Sequence, residues 1–335
     1  KMGFWKELAS GKKPVFVMAP MADVTDCAFR QIITKYGKPD ALWTEFVSAD
    51  GLANRKGREA LLIDLKFGKN ESPIVAQLFG ANILNMESAA TLCRELGFDG
   101  IDINMGCPDK SIEKSKSGAY CIKDPELSKS IVLAARRGAG DLPVSVKTRL
   151  GYNSVDFGWI KEVLSWRLPL VTFHLRTRKE MSLVPAHWDI MPKIIELRNE
   201  ISPETIVLGN GDVLDLNDGR QKVSASGADG AMLGRAIFGN PWLFSNHENN
   251  PELVEGQEVS IQEKLKVMLE HTKLFVQMLG AHKNFAIMKK HYKAYVNGFS
   301  GAKELRVKLM ECPDYESIER EVNSFLENYE GEKLS

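Results

Sequence analysis

Eight short runs of β-forming apolar residues recur through the first 235 residues, separated by segments of helical periodicity. The runs are VFVMA (15–19), ALWTEF (41–46), IVAQL (74–78), GIDIN (100–104), VSVKT (144–148), LVTFHL (170–175), TIVLG (205–209) and DGAML (229–233). Such alternation is typical of βα units and a parallel sheet. Eight repeats favour a closed (β/α)8 barrel over an open doubly wound sheet, and no GxGxxG turn follows the first run.

The segments between the runs predict helices with recognisable starts. The helix candidates span 82–96, 125–138, 155–167, 187–199 and 213–226. Asn82 and Asp124 are the residue types that cap helix N-termini, and Pro125 suits the first helical position.

The chain changes character after the eighth run. Residues 240–259 carry Pro, Asn and Gly without a sustained period, and the pattern from about residue 260 is helical throughout. We therefore predict a barrel domain over 1–242, a linker over 243–259 and a small helical bundle over 260–335.

Composition excludes several other classes of protein. No apolar stretch approaches the roughly 20 residues that span a bilayer, and the N-terminus lacks the apolar core of a signal peptide. Five cysteines without a CxxC pair, and no clustered histidines, argue against zinc and for a reducing compartment. We expect a cytoplasmic monomer without a membrane segment or a metal.

Polar or glycine residues follow nearly every predicted strand, where barrel enzymes place their active sites. In chain order they are Pro20 and Met21; Gln77; Asn104 with Cys107; Lys147 and Arg149; His174 and Arg176; Asn210, Gly211 and Asp212; Gly234 and Arg235. Because the carboxyl ends of barrel strands meet at one rim, these residues predict a ring of functional groups.

The glycines after strands 7 and 8 let backbone N–H groups approach an anion, and Arg235 adds a forked cation. This pattern predicts a phosphate site. Lys147 would be costly to bury unless it met an anion such as a reduced flavin ring, although pairing with Asp102 is an alternative. Gln77 matches the donor and acceptor edge of a flavin pyrimidine, or is a satisfied core amide.

Cys107 differs from the other four cysteines by its place in the chain. Cys27, Cys93 and Cys312 lie in helical patterns and Cys121 approaches a helix, so we expect all four to be structural. Cys107 lies in the loop after strand 4, between Gly106 and Pro108. With an ordinary pKa near 8.5 it would be mostly thiol at neutral pH, which suits a proton donor.

These motifs together resemble the tRNA-dihydrouridine synthases, and among them the bacterial B-type enzymes, over nearly the whole chain. The matching segments are MAPMADVTDCAFR (18–30), VAQLFG (75–80), DINMGCPDK (102–110), VKTRLG (146–151), FHLRTR (173–178), NGD (210–212) and GAMLGRAIFGNPWLF (230–244). The resemblance rests on several motifs in the same order at the predicted strand ends.

The resemblance implies reduction of a tRNA uridine at its 5,6 double bond, with FMN as cofactor and NADPH as electron donor. It assigns FMN binding to Pro20, Met21, Gln77, Lys147, His174, Asn210, Gly211, Asp212, Gly234 and Arg235, and the general acid to Cys107. Asn104, Arg149 and Arg176 would face the uracil or the tRNA. Hydride and proton would reach opposite faces of the base, which requires it to be flipped out of its stack.

Two segments depart from the family pattern. Leu175 stands in HLRTR where the family usually has HGRTR, beside His174, which remains open to interpretation as a satisfied core histidine. SKSGAYC (115–121) replaces a form richer in small residues and Leu. We expect differences in phosphate geometry and in the shape of the substrate loop at these positions.

The helical domain conceals a local excess of positive charge within a chain of zero formal net charge. Residues 282–310 carry seven cations (Lys283, Lys289, Lys290, Lys293, Lys303, Arg306 and Lys308) against one carboxylate. In MKKHYKAYV (288–296) the lysines Lys289, Lys290 and Lys293 alternate with Tyr292 and Tyr295, which predicts phosphate contacts and stacking surfaces for tRNA. The alternative is a solvated charged face.

Two other functions remain possible from the residues alone. A flavin barrel with a small substrate, as in dihydroorotate or ene-type dehydrogenases, would have no need for the basic helical domain. An RNA-binding protein without activity would not require Cys107 or the complete ring of strand-end groups.

Overall fold

The computed structural model describes residues 3–11, 14–245 and 259–333. Its strands are β1 Val15–Met18, β2 Leu42–Ser48, β3 Ile74–Phe79, β4 Gly100–Met105, β5 Val144–Arg149, β6 Leu170–His174, β7 Ile206–Asn210 and β8 Gly230–Leu233. Its first ten helices are α1 Phe4–Ser10, α2 Cys27–Tyr36, α3 Ala49–Ala53, α4 Arg55–Leu61, α5 Ile83–Glu95, α6 Lys110–Lys114, α7 Pro125–Ala139, α8 Phe157–Ser165, α9 Met191–Ile201 and α10 Leu216–Ser226. The last four are α11 Ile261–Leu279, α12 Met288–Tyr295, α13 Ala302–Glu311 and α14 Tyr315–Lys333.

The eight strands form one parallel sheet in the order β1-β8-β7-β6-β5-β4-β3-β2. A bridge between Val17 and Ala41 joins the two remaining edges and closes the ring. The predicted (β/α)8 barrel is therefore confirmed, with all eight strands within about two residues of their predicted bounds.

The predicted helix starts at Asn82 and Asp124 are also confirmed. The Asn82 side chain accepts from the Asn85 backbone N–H, and the Asp124 side chain accepts from that of Leu127. The segment predicted as a helix over 187–199 begins instead with a short 3-10 turn at Trp188–Ile190, and α9 follows it.

A tryptophan pair packs inside the barrel. Trp5 of α1 is 1% exposed and lies with its ring centroid 5.6 Å from that of Trp43 on β2. Gly3, just before α1, lies against Pro143, which precedes β5. Helix α1 therefore packs at the amino-terminal end of the strands, which leaves their carboxyl ends as the accessible mouth.

The chain divides into two compact units. The barrel unit holds Lys1–Thr25 and Pro39–Ala236, and the helical unit holds Asp26–Lys38 and Ile237–Ser335. This division differs from the predicted boundary at residue 242, because α2 packs within the helical unit, where the Phe29 ring stacks on His271 at 4.9 Å. Most of the predicted linker, residues 246–258, lies outside the described residues.

The helical unit contains α11 to α14 around an apolar core that includes Met268, Phe275, Leu309 and Ile318. In the parts of the chain that the structure describes, no helix is long and apolar enough to cross a membrane.

Candidate active site

The side chains predicted to form a ring lie together at the carboxyl ends of the strands. Strand register places Asn104 beside Lys147, Arg149 beside His174, and His174 beside Asn210. Because neighbouring strands of a parallel sheet end at the same edge, residues far apart in the chain meet at this rim.

The loop that carries Cys107 is held by the strand that precedes it. Asn104 Oδ1 accepts hydrogen bonds from the backbone N–H groups of Gly106 at 3.1 Å and Cys107 at 2.9 Å. The Cys107 carbonyl accepts in turn from the Ala119 N–H at 2.9 Å. These bonds fix the backbone on both sides of the sulfur-bearing residue.

Gly118 lies in the segment 115–121 and packs against the loop that carries Cys107. Its φ is +62°, and a Cβ there would lie 2.7 Å from the Cys107 carbonyl oxygen and 3.3 Å from Cys107 Cβ. A side chain would therefore be strained and would collide with Cys107. This glycine allows the segment to pack directly against the thiol loop.

Cys107 is the one cysteine among the described residues that is not fully buried, and the other four are buried as predicted. Burial nevertheless raises the pKa of the Cys107 thiol, while nearby Arg149 and Lys147 act in the opposite direction. Sγ therefore keeps its proton at neutral pH.

Arg149 is buried, and its guanidinium donates hydrogen bonds to backbone carbonyls of two loops. Its Nε donates to the Gly106 carbonyl at 2.6 Å, and its Nη1 donates to the carbonyls of Thr177 at 3.1 Å and Met181 at 3.0 Å. Burial lowers the pKa of this guanidinium to about 10. Arg149 thus joins the loop after β4 to the loop after β6, a role that the sequence prediction of a tRNA contact did not include.

Gln77 is fully buried, and both ends of its amide have protein partners. Nε2 donates to Asp102 Oδ2 at 2.7 Å, and Oε1 accepts from Asn104 Nδ2 at 3.1 Å. Gln77 therefore has the contacts of a core amide whose hydrogen bonds are satisfied by protein partners, which was the alternative interpretation from the sequence. Beyond these two bonds, the Gln77 amide has one further N–H and one further lone pair.

Lys147 projects from β5 into the mouth and forms neither a hydrogen bond nor an ion pair with the described residues. The surrounding barrel lowers the pKa of Lys147 to about 8 by burial, and the charge of Arg149 adds to this effect. Asp102 does not pair with it directly, because that carboxylate accepts from Gln77 and Ser145. Asp102 attracts Lys147 only from a distance, so a buried ammonium without a direct partner among the described residues is suited to an anionic ligand.

Asp212 joins two arginines at the ends of β6 and β8. Its carboxylate forms an ion pair with Arg176 through Oδ2 and with Arg235 through Oδ1, the latter at 2.6 Å. Both cations hold the pKa of Asp212 below its ordinary value, the Arg176 hydrogen bond most strongly. Arg176 is 2% exposed, whereas the Arg235 side chain is 68% exposed.

His174 lies among these cations and is neutral. Burial lowers its pKa well below 6.5, and Lys147, Arg149, Arg176 and Arg235 lower it further. Arg176 Nη1 lies 3.3 Å from His174 Nε2. Because a guanidinium only donates, Nε2 accepts and the ring proton is on Nδ1, from which it can be donated to an anion.

The two glycines at this corner differ in the space beside them. Gly211 has φ +126°, and a Cβ there would lie 2.9 Å from Ala186 Cβ. At Gly234 a Cβ would make only ordinary contacts, 3.6 Å from Ala19 Cβ and 3.7 Å from Met21 Sδ. The protein itself therefore does not require glycine at position 234, and the open space fits a ligand that approaches the backbone beside Pro20 and Met21.

Asn210 and Leu175, which lie near these glycines, have structural roles in the barrel. Asn210 Nδ2 donates to the Met232 carbonyl at 2.8 Å and ties β7 to β8. Leu175, in place of the family glycine, is fully buried, so its side chain does not narrow the mouth.

Trp188 is a part of the site that sequence reasoning missed. Its Nε1 donates to the Gly211 carbonyl at 2.7 Å, and its ring occupies the space that a Cβ on Gly209 would need. In the sequence, only the small residue Gly209 in β7 hints at this contact. A glycine alone does not identify an aromatic partner about twenty positions earlier in the chain.

The predicted stacking surfaces on α12 are wrong. Tyr292 and Tyr295 are 0% and 1% exposed, since the helix turns them toward the core of the helical unit. Lys289 donates to the Met310 carbonyl at 2.6 Å, at the carboxyl end of α13. Lys290 and Lys293 are exposed and free of protein partners among the described residues.

No group of three or more His, Cys, Asp or Glu side chains suited to a metal ion occurs within the described ranges.

Comparison with known proteins agrees with the resemblance described above. The family model Dihydrouridine synthase (Dus) matches residues 17–330. A Bacillus subtilis (strain 168) protein named "Probable tRNA-dihydrouridine synthase 2" is 37% identical over 334 residues, which cover 99% of this chain and 98% of that protein. A Staphylococcus epidermidis "Probable tRNA-dihydrouridine synthase" is 38% identical over 313 residues, 92% of each chain.

Among solved structures, a 2-naphthoyl-CoA reductase in complex with 2-naphthoyl-CoA has a TM-score of 0.52 and 10% identity, over 72% of this chain and 52% of that one. This likeness supports the barrel fold alone. The family match over most of the chain, together with relatives of matching length, shows that the chain belongs to the dihydrouridine synthase family of oxidoreductases.

Proposed function

We propose that this protein is a flavin-dependent enzyme that reduces a uridine in tRNA to 5,6-dihydrouridine, with FMN as cofactor and NADPH as electron donor. The observation that carries the proposal is the rim itself. It presents a protonated thiol, Cys107, on a fixed loop, together with an ammonium, Lys147, that makes no hydrogen bond or ion pair with the residues that the structure describes. The family membership supports the same reaction.

The residues at the rim fit FMN. Lys147 supplies positive charge for the pyrimidine side of the ring, and Gln77 has one donor and one acceptor position left. Arg235, His174 Nδ1 and the open backbone at Gly234 would bind the phosphate, and Gly211, whose positive φ suits glycine, would shape the turn beside them. Pro20, Met21, Asn210 and Asp212 would complete the walls around these groups.

Cys107 would act as the general acid. Bound FMN supplies the hydride for carbon 6 of the uracil ring. Cys107 Sγ carries a proton because burial raises its pKa, and it would deliver that proton to carbon 5. Asn104 and Arg149 would keep the loop in place during the transfer, and Asn104 would also border the base.

Arg149 and Arg176 would support the loops rather than bind RNA through free guanidinium groups. Both are buried, and both donate to backbone carbonyls, Arg176 Nε to Val184 at 2.5 Å. This assignment revises the expectation that they contact the uracil or the tRNA directly.

The helical unit would bind tRNA. Lys290 and Lys293 are exposed cations one turn apart on α12, which suits contacts to phosphates. Lys289 would contribute less, because its ammonium is bound to the Met310 carbonyl. We further propose that the enzyme acts in the cytoplasm as a monomer.

A single assay tests this function. The purified protein is reconstituted with FMN and incubated with NADPH and tRNA from a strain that lacks the gene, and nucleosides are analysed by mass spectrometry. We expect one additional dihydrouridine at a defined position and none when FMN is omitted. A protein that does not bind FMN, or holoenzyme that leaves every uridine intact, would contradict the proposal.

A further inference from the structure

Three side chains on adjacent strands form one layer inside the barrel, directly below the rim. Strand register aligns Gln77 of β3 with Asp102 of β4, and Asp102 with Ser145 of β5. All three are 0% exposed. In-register residues of a parallel sheet project to the same side, so these polar groups must satisfy one another.

The Asp102 carboxylate is the origin of a directed chain of hydrogen bonds. Oδ1 accepts from Ser145 Oγ at 2.6 Å, and Oδ2 accepts from Gln77 Nε2 at 2.7 Å. An ionised carboxylate can only accept, so Gln77 must turn its nitrogen toward Asp102 and its oxygen away.

The direction continues through Asn104 to the thiol loop. Because Gln77 Oε1 faces Asn104, that amide must present Nδ2 to Gln77, at 3.1 Å. Asn104 Oδ1 is then left facing the N–H groups of Gly106 and Cys107. Reversal of Asn104 would place its NH2 group against these N–H groups. Reversal of Gln77 would place its oxygen against the Asp102 carboxylate and its NH2 group against Asn104 Nδ2, which would favour reversal of Asn104 as well.

We propose that Asp102 is a positioning residue for Cys107, and that it acts by fixing the orientation of the Gln77 and Asn104 amides. The acceptor at position 102 selects the Gln77 orientation, and Gln77 thereby supports the Asn104 orientation that the two loop N–H groups also favour. Asp102 contacts the Gln77 amide but not the thiol, so its effect on Cys107 is indirect. The inference rests on the proposed function only for the role of the thiol.

Two substitutions at position 102 separate this role from general stability. Asp102→Leu removes the acceptor, and we expect iodoacetamide to alkylate Cys107 about tenfold faster and kcat to fall about tenfold. Asp102→Asn should stay within about twofold of wild type in both measurements, because its oxygen can accept from Gln77 while its nitrogen donates to Ser145 Oγ. Ser145→Ala keeps the Asp102–Gln77 bond and should also stay near wild type.

The alkylation rate is measured by mass spectrometry on folded holoenzyme, with Cys312 as an internal reference. If Asp102→Leu does not fold, Gln77→Met breaks the same chain one link later and should give the same increase at Cys107. Unchanged alkylation in either folded variant would overturn the proposal, as would Asp102→Asn behaving like Asp102→Leu. Because alkylation needs no RNA, a change at Cys107 without any uridine reduction would contradict the proposed function while upholding the positioning role.

Discussion

Arg149 Nε lies 2.6 Å from the carbonyl oxygen of Gly106, the residue that immediately precedes Cys107. The same guanidinium also donates to Thr177 and Met181 in the loop after β6. One planar group therefore fixes two loops of the mouth, a geometry that a single ammonium cannot reproduce.

Arg149→Met should lower kcat by about a hundredfold, because small displacements of a reacting group are costly to the rate. Single-turnover formation of dihydrouridine measures this effect. Arg136→Met is a matched control, since Arg136 also donates to backbone carbonyls, those of Trp166 and Arg167, but away from the rim. Equal losses of activity in the two variants would show that Arg149 has only a general structural role.

Lys147 should make FMN binding depend on pH. Burial lowers its pKa to about 8 in the free protein, and an anionic ligand favours the charged form. Binding is therefore strongest below pH 8 and weakens as pH rises through 8. Anaerobic equilibrium titrations with reduced FMN, whose ring carries the negative charge, measure this from pH 7 to pH 9. Lys147→Met should bind reduced FMN more weakly at pH 7 and independently of pH. A wild-type Kd that does not change across this interval would refute the assignment.

Charge reversal at Lys290 and Lys293 should weaken tRNA binding and reduce the dependence of log Kd on log salt, by about one unit of slope for each RNA phosphate that is no longer neutralised. Lys266→Glu with Lys273→Glu on α11 introduces the same change in charge within the same unit and should have a smaller effect. Filter binding at several salt concentrations measures the affinity and the salt dependence of both double variants. Equal reductions of affinity in both double variants would assign the effect to net charge alone.

The stability of the protein should fall in mild acid because of two buried histidines. His271 and His291 lie with ring centroids 4.6 Å apart, and their ring nitrogens have no hydrogen-bond partners among the described residues. Burial lowers the pKa of His291 from 6.5 to about 3 and that of His271 well below 6.5. The unfolded chain therefore takes up protons first, and stability that is complete above pH 6.5 is lost as pH falls below it.

The expected loss is about 2 kcal/mol per histidine at pH 5. Urea unfolding between pH 7.5 and 5 measures it, and His291→Phe should remove about half of the decrease. A decrease of the same size in His291→Phe would show that other groups cause the acid sensitivity.

The elements of the fold follow from local patterns in the sequence. The eight apolar runs are strands because their residues favour extended backbone, and Asp124 with Pro125 starts α7 because capping depends on neighbours within one turn. Parallel strands that end together then place Lys147, His174 and Asn210 at one rim, as predicted.

The contacts within the site depend on register and on helix orientation, which local patterns do not contain. Asp102 is hydrogen-bonded to Gln77, 25 residues before it in the chain, and to Ser145, 43 residues after it. A shift of one residue in the strand register would turn these side chains to the other face of the sheet. Tyr292 and Tyr295 alternate with lysines in the sequence, yet α12 turns both rings inward. A basic segment alone does not distinguish an exposed aromatic face from a buried one.

The Cys107 thiol should supply the proton that completes uridine reduction. This role is tested by mixing NADPH-reduced holoenzyme with unmodified tRNA and measuring dihydrouridine in a single turnover. Cys107→Ala should keep the flavin spectrum and the rate of reduction by NADPH, but form dihydrouridine at least about a hundredfold more slowly. Cys121→Ala, which alters a buried cysteine, should retain the wild-type rate. A Cys107→Ala enzyme that forms dihydrouridine at the wild-type rate would contradict the account.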